Sequence, residues 1–186
     1  MSYNDFESIS RNQFREIFQP SRIVLGVVND ETNKRDNIIA LAFNMYTSYS
    51  PLMYAIAVQD INYSYQLFKG CKEYVISVPG EKLYKETLFC GTKSGRDVDK
   101  FSETKLTALP SQKIKTAGIK ECIANMECIK KNFIETGDHA IVIGEVVNIT
   151  RNTNNNERNI ISISSDTRGY DMYVHKGMHR LGTVKV

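Results

Sequence analysis

A polar run lies between two apolar segments near the middle of the chain and reads Cys90-Gly91-Thr92-Lys93-Ser94-Gly95-Arg96-Asp97-Val98-Asp99-Lys100-Phe101. Its glycines allow the backbone to approach a ligand closely, and its hydroxyls and cations are groups that hold a phosphate. Ser94 and Asp97 also have the spacing of a capping box, in which the serine caps a new helix. Spacing alone favours the helix cap over a ligand site.

Composition limits the class of protein. The 186 residues are enough for one sizeable core, so we expect a single domain over residues 1–186. Hydrophobic residues make up 41% and charged residues 24%, which is typical of a globular chain. The formal net charge of +3 is too small to indicate nucleic-acid binding and suits a small anionic ligand at least as well.

The sequence contains no segment that predicts export or membrane insertion. No apolar run reaches the length of about 18 residues that a membrane span needs, and the polar, acidic N-terminus is unlike a signal peptide. We therefore expect a cytoplasmic protein that binds no membrane. The four cysteines have no C-x-x-C spacing, which argues against a zinc knuckle or a redox pair and favours buried packing residues: Cys71, Cys90, Cys122 and Cys128.

The first half of the chain predicts strands joined by polar segments. A capping box at Ser10 predicts a short helix that ends at Pro20, and residues 23–28 are a compact apolar run that predicts a buried strand. Turn-rich residues 29–36 then predict a hairpin whose return strand covers residues 37–43. Residues 44–51 show no clear period and predict a polar loop, which could hold a ligand or could simply be solvated.

The next segments continue this pattern. We predict a strand over residues 52–58, a short helix capped by Asn62, a strand over Glu73–Val78 and a helix through Leu83, Tyr84 and Leu88. Residues 119–133 alternate well enough to predict one long strand.

A tight turn at residues 136–138 leads into a further predicted strand over residues 139–149. That strand is apolar on both faces, so a helix or a second subunit has to cover the face that the core does not use. Strands outnumber helices, and neither a regular βαβ alternation nor a G-x-G-x-x-G motif is present. The sequence therefore predicts a mainly β fold, a β-barrel with short helices, and argues against a Rossmann site.

Five pieces in a fixed order then resemble a known family. They are Asn37, the hydroxyl-rich segment that ends in Ser50-Pro51, Tyr63-Ser64-Tyr65, the polar run from Ser94 to Phe101, and Gly137-Asp138-His139 before an apolar strand. Together they resemble the flavin reductase-like family and, within it, the flavoredoxin branch, from about Pro20 to Thr150. The resemblance implies an FMN-binding split barrel that usually forms a homodimer.

The resemblance also implies which residues bind the cofactor. The segment from Asn37 to Tyr46 would lie along the flavin ring, Ser64 would bring a hydroxyl near the cofactor, and the polar run would face the phosphate. The residues concerned are Asn37, Ala42, Phe43, Asn44, Met45, Tyr46, Ser48, Ser50, Ser64, Ser94, Arg96 and Lys100.

Histidines are not expected to add a catalytic or metal site. His175 and His179 have an i, i+4 spacing, but Gly177 between them weakens a helix and no third ligand is near in the sequence. His139 begins a strand after a turn, where ordering the hairpin is favoured over proton transfer.

The implied function is an FMN-dependent oxidoreductase that takes electrons from NAD(P)H or from a redox protein. Two alternatives stay open. The first is a non-enzymatic electron carrier that holds FMN without turning over a small substrate. The second, remote, alternative is a barrel that binds single-stranded nucleic acid on Tyr and Phe side chains.

Overall fold

The computed structural model describes residues 7–10, 14, 20–166 and 169–172. Most of the predicted N-terminal helix lies outside these residues, although the Phe14 amide donates a hydrogen bond of 2.9 Å to the Ser10 carbonyl. The tail that carries His175 and His179 also lies outside them. Within the described part, no helix is long and apolar enough to cross a membrane.

Antiparallel strands hold about half of the described residues and far more than the helices do, which confirms the prediction of a mainly β fold. The strands are β1 (Ser21–Arg22), β2 (Val24–Asp30), β3 (Arg35–Leu41), β4 (Asn44–Tyr49), β5 (Leu52–Gln59), β6 (Glu73–Val78), β7 (Ala108–Leu109), β8 (Gly118–Ile119), β9 (Ala124–Thr136), β10 (His139–Arg151), β11 (Ile161–Asp166) and β12 (Gly169–Met172). A 3₁₀ turn and three short helices complete it: Glu81–Leu83, α1 (Tyr63–Gly70), α2 (Tyr84–Thr92) and α3 (Lys100–Thr104).

Seven strands form the main sheet, in the order β3-β2-β6-β9-β10-β5-β4. Every pairing in it is antiparallel. The sheet curls so that β3 contacts β5, which places the free edge of β3 beside the helices. A smaller sheet, β1-β11-β12, and the pair β7-β8 lie outside this barrel.

Alternating side chains of the main sheet fill two cores. Val24 and Val28 of β2 point into the barrel, where Phe68 of α1 also packs. Leu25 and Val27 of the same strand point the other way, into a second core that includes Cys90 of α2 and the following loops. This arrangement is why the apolar run of β2 is continuous rather than alternating.

The prediction of a polar loop over residues 44–51 is wrong. Residues Asn44–Tyr49 are an edge strand that pairs with β5, and the hairpin turn contains a cis peptide bond between Ser50 and Pro51. Met45, Tyr46 and Tyr49 remain exposed. Because this edge strand lacks a consistently buried face, its sequence carries no period-two signal.

The single long strand predicted over residues 119–133 is confirmed from Ala124 onward, where β9 begins, and is wrong before it. Gly118–Ile119 pair with β7, and the chain turns through Cys122 before β9 begins at Ala124. Asn125 explains the break, because its side chain accepts from the Ile119 amide at 2.9 Å and donates to the Ile119 carbonyl at 3.0 Å.

The capping-box prediction at Ser94 is wrong as well. Helix α3 begins later, at Lys100, and its cap is Asp99, whose side chain accepts from the Ser102 amide at 3.3 Å. Ser94 instead closes a turn, in which the amides of Asp97 and Val98 donate to its carbonyl. Helix α1 starts after Asn62 as predicted, but the Asn62 side chain makes no capping hydrogen bond.

Residues 111–117 form a strap across the sheet that carboxylates hold in place. Asp36 of β3, Glu73 of β6 and Glu127 of β9 accept hydrogen bonds of 2.6–3.2 Å from backbone amides of the strap. Burial would raise the pKa of Glu127, but these amides and the Asn148 side chain stabilise its charged form, so its pKa lies below the ordinary value. The strap thus covers an outer face that carries buried charge.

Three of the four cysteines are buried, as the sequence predicted, and Cys71 is partly buried. Burial is the main cause that raises the pKa of the Cys71 and Cys90 thiols to about 11 and that of Cys128 to about 12. Thiols with such pKa values stay protonated at neutral pH and are unreactive. They serve as packing residues.

Two buried tyrosines differ in whether the hydroxyl has a hydrogen-bond partner, so they test what that bond contributes to stability. The Tyr54 hydroxyl donates to Asn44 Oδ1 at 2.6 Å, whereas the Tyr74 hydroxyl is buried against Gly144 and has no partner among the described residues. We expect Tyr74→Phe to raise the free energy of unfolding by about 1 kcal/mol and Tyr54→Phe to lower it by about as much. Urea denaturation of both variants measures this, and equal destabilisation by the two substitutions would contradict it.

Candidate functional site

A cavity of about 150 Å³ opens where the edge of β3, the start of α1 and the end of α2 meet. We call it the anion cavity. Its walls are Ile39, Ile61, Asn62, Tyr63, Ser64, Cys90, Gly91, Thr92, Lys93, Ser94, Gly95 and Lys100. Three of the residues predicted from the sequence, Ser64, Ser94 and Lys100, are among them.

One wall of the anion cavity is the N-terminus of α1. The first amides of a helix have no partner within it, and the helix dipole adds positive potential at the same place. Here the amides of Tyr63 and Ser64 have no hydrogen-bond partner among the described residues, and Asn62 does not cap them. This helix start is therefore free to bind an anion.

The opposite wall is the turn formed by residues 94–98. The Arg96 amide donates to Ser94 Oγ at 3.2 Å, which leaves the hydroxyl proton of Ser94 available. Within the described part of the chain, the amides of Ser94 and Gly95 make no hydrogen bond. The turn thus offers further donors to the same cavity.

Arg35, which was not among the predicted site residues, fixes this turn. One of its guanidinium nitrogens donates to the Gly95 carbonyl at 2.9 Å and to the Val98 carbonyl at 3.0 Å. Arg35, Asn37 and Ile39 alternate along β3 and so share a face of the strand. That spacing was the only available signal that Arg35 belongs with the predicted Asn37.

Asn37 is buried between the same two walls. Its Nδ2 donates to Ser64 Oγ at 2.8 Å, and its Oδ1 lies against Gly95. A methyl group at the Cβ position of Gly95 would come within 1.8 Å of that oxygen, so only glycine fits. Asn37 therefore joins β3 to the start of α1 and to the turn.

Lys100 lies in the floor of the anion cavity with only 4% of its surface exposed. Its Nζ donates to the Ile38 carbonyl at 2.5 Å and to the Cys90 carbonyl at 2.7 Å. Burial lowers the pKa of Lys100 to about 8. Two of its three donors are thus used to pin α3 against β3 and α2, and one is left for a ligand.

Arg96 is exposed and lies outside the anion cavity, although close to it. Its guanidinium carbon is 5.3 Å from the centroid of the Tyr63 ring. The Tyr63 hydroxyl donates to Asp30 at 2.8 Å, and Asn33 donates to the same carboxylate oxygen. Burial would raise the pKa of Asp30, but these hydrogen bonds outweigh it and leave that pKa below its ordinary value.

An apolar slot of about 190 Å³ adjoins the anion cavity and shares Gly91 and Thr92 with it. Ala42, a predicted site residue, lines this slot, whose walls are Ile23, Ala40, Ala42, Thr87, Leu88, Gly91, Thr92 and Ser162. The two spaces together could hold a molecule with one apolar and one anionic end.

The other predicted residues line neither space. Phe43 precedes β4, and its ring centroid lies 5.3 Å from that of His139. The Asn44 side chain is engaged in the fold, because it accepts from Tyr54 and donates to the carbonyls of Arg22 and Leu41. The remaining four lie on β4 or in the turn after it: Met45, Tyr46, Ser48 and Ser50.

Comparison with known proteins identifies the family and the fold of the chain. The flavin reductase like domain matches residues 19–180. An uncharacterized protein of Archaeoglobus fulgidus is 36% identical over 128 residues, which cover 69% of this chain and 69% of that protein.

Two solved structures share the fold at low sequence identity. The flavoredoxin of Methanosarcina acetivorans has a TM-score of 0.76 and 21% identity, with 96% of this chain and 97% of that chain covered. The NADH:FAD oxidoreductase SgcE6 of Streptomyces globisporus has a TM-score of 0.77 and 19% identity, with 96% of each chain covered. The predicted split-barrel fold is confirmed, and the chain belongs to the flavin reductase-like family.

Proposed function

We propose that this protein is an FMN-binding oxidoreductase in which the anion cavity holds the phosphate of the cofactor. The observation that carries the proposal is the convergence of two sets of free donors, the start of α1 and the turn at residues 94–98, on one cavity. Uncapped helix starts and glycine-containing turns are common phosphate sites. A flavin reductase-like domain that holds such a site has a place for a flavin phosphate.

Different residues of the two spaces would donate hydrogen bonds, supply positive charge and exclude water. Ser64, Ser94 and the free amides beside them would donate to the phosphate, and Lys93 and Lys100 would supply positive charge. The apolar slot that contains Ala42 would exclude water from the less polar part of the cofactor. Bound flavin supplies the hydride and electron chemistry, and the protein binds and orients it.

A pair of flavins tests the phosphate site. Ser94→Ala removes a hydroxyl donor from the anion cavity, so we expect the dissociation constant for FMN to rise roughly 10- to 100-fold. Riboflavin has no phosphate, and its dissociation constant should change less than about twofold. Quenching of flavin fluorescence on titration with protein measures both constants.

Ser102→Ala is the matched control, because Ser102 is an exposed serine of α3 outside the cavity. Its affinity for FMN should equal that of the wild type. Equal losses of FMN and riboflavin affinity in Ser94→Ala would show that Ser94 only shapes the turn. If the wild type bound FAD more tightly than FMN, the proposed cofactor would be FAD and not FMN.

The electron donor separates an enzyme from a carrier. We infer that NAD(P)H reduces the bound flavin directly, which is supported by the similarity in fold to an NADH:FAD oxidoreductase. Stopped-flow mixing of the FMN-loaded protein with NADH or NADPH should then bleach the flavin absorbance within seconds. Bleaching by a reduced redox protein but by neither nicotinamide would show that the chain is an electron carrier.

A second copy of the chain is the proposed cover for the outer apolar face of β9 and β10. Ile134 and Val147 are 46% and 37% exposed, and the face continues through the half-buried Ile141 and Ile143. Burial of such a patch in a dimer is favourable. Light scattering should give twice the 21.2 kDa of one chain, and Val147→Glu should shift the mass toward the monomer. A wild-type monomer at micromolar concentration would contradict this.

A further inference from the structure

We infer that Asn37 is a positioning residue that sets the direction of the Ser64 hydroxyl, so that this hydroxyl donates to an anion in the cavity. The inference rests on the proposed phosphate site and gives it a mechanism. It also changes the role of Asn37, which the resemblance placed along the flavin ring. The direction of the Ser64 hydroxyl depends on which way the Asn37 amide faces.

The Asn37 amide has one orientation that its surroundings favour. Its Oδ1 is buried without a conventional hydrogen-bond partner among the described residues and faces the Cα of Gly95. The glycine hydrogen at the Cβ position points at this oxygen, because a Cβ placed there would lie 1.8 Å from it. A C–H group makes a weak favourable contact with a carbonyl oxygen and an unfavourable one with an NH₂ group. Gly95 therefore turns the NH₂ group toward Ser64.

This orientation fixes the role of the serine. Asn37 Nδ2 donates to Ser64 Oγ at 2.8 Å, so the serine oxygen is an acceptor in this bond. The hydroxyl proton of Ser64 must then be donated elsewhere, and no other described residue accepts it. Ser64 lines the anion cavity, where an anion is the acceptor that its hydroxyl lacks. If the amide were reversed, Ser64 would donate to Asn37 and present only lone pairs to a phosphate.

Asn37→Leu tests this without adding charge. Leucine has nearly the shape of asparagine but cannot donate to Ser64. The dissociation constant for FMN should rise about 10-fold, which is the loss of one oriented hydrogen bond to a charged group. The constant for riboflavin should stay within about twofold of the wild type. In a Ser64→Ala background, Asn37→Leu should cause no further loss of FMN affinity.

Gly95→Ala is a second way to remove the Asn37 hydrogen bond to Ser64 if Asn37→Leu does not fold. Its added methyl group must push Asn37 away, and we expect the same loss for FMN alone. Gly70→Ala is the matched control, because a Cβ there meets nothing within 4 Å. It should bind FMN as the wild type does.

Three results would overturn the inference but leave the proposed function in place. Equal losses for FMN and riboflavin, or a loss from Asn37→Leu that persists in the Ser64→Ala background, would make Asn37 a packing residue. Wild-type FMN affinity in Asn37→Leu would show that Ser64 needs no orientation. In each case the wild type would still prefer FMN to riboflavin, so the proposed function would stand. Failure of the wild type to bind FMN would overturn both.

Discussion

The candidate site depends on the two hydrogen bonds that Arg35 donates to the carbonyls of Gly95 and Val98. They join strand β3 to a turn that lies about sixty residues later in the chain. A charged donor binds a carbonyl more strongly than a neutral donor does, so a single side chain can hold an otherwise flexible segment. With the turn in place, Ser94 and Gly95 line the cavity that the start of α1 completes, and the Gly95 and Val98 carbonyls, which would repel an anion, are occupied.

The other cations of the site also make contacts that stabilise its fold. Lys100 donates to two backbone carbonyls in the floor of the anion cavity, and Arg96 stacks over Tyr63, which Asp30 holds. Most of the positive charge near the cavity thus stabilises the shape of the site. The hydroxyls of Ser64 and Ser94 and the amides beside them, together with Lys93 and the remaining donor of Lys100, are left to bind the ligand. Neutral donors fixed in advance need little reorganisation when an anion binds.

Apolar runs and turn residues were enough to predict much of the fold. Strand Glu73–Val78 was predicted with its observed bounds, and the turn at residues 136–138 was placed correctly, with Gly137 at a φ of +56°. Edge strand β4 was missed because its exposed side chains leave no periodic pattern. The strand predicted over residues 119–133 ignored Asn125, whose amide bonds with Ile119 impose a turn. Local periodicity cannot show such a bond.

Prediction of the site was limited by contacts distant in sequence. Ser94 has capping-box spacing, but Arg35 holds it in a turn, and no local rule could show that. Sequence also cannot distinguish a buried lysine such as Lys100 from one on the surface. The visible absorption spectrum of the protein after incubation with FMN and desalting shows whether the folded chain holds a flavin by its phosphate. We expect a flavin band to stay with the protein and to be lost in excess inorganic phosphate more readily than in excess chloride. A colourless protein after desalting, together with no fluorescence quenching on FMN titration, would contradict it.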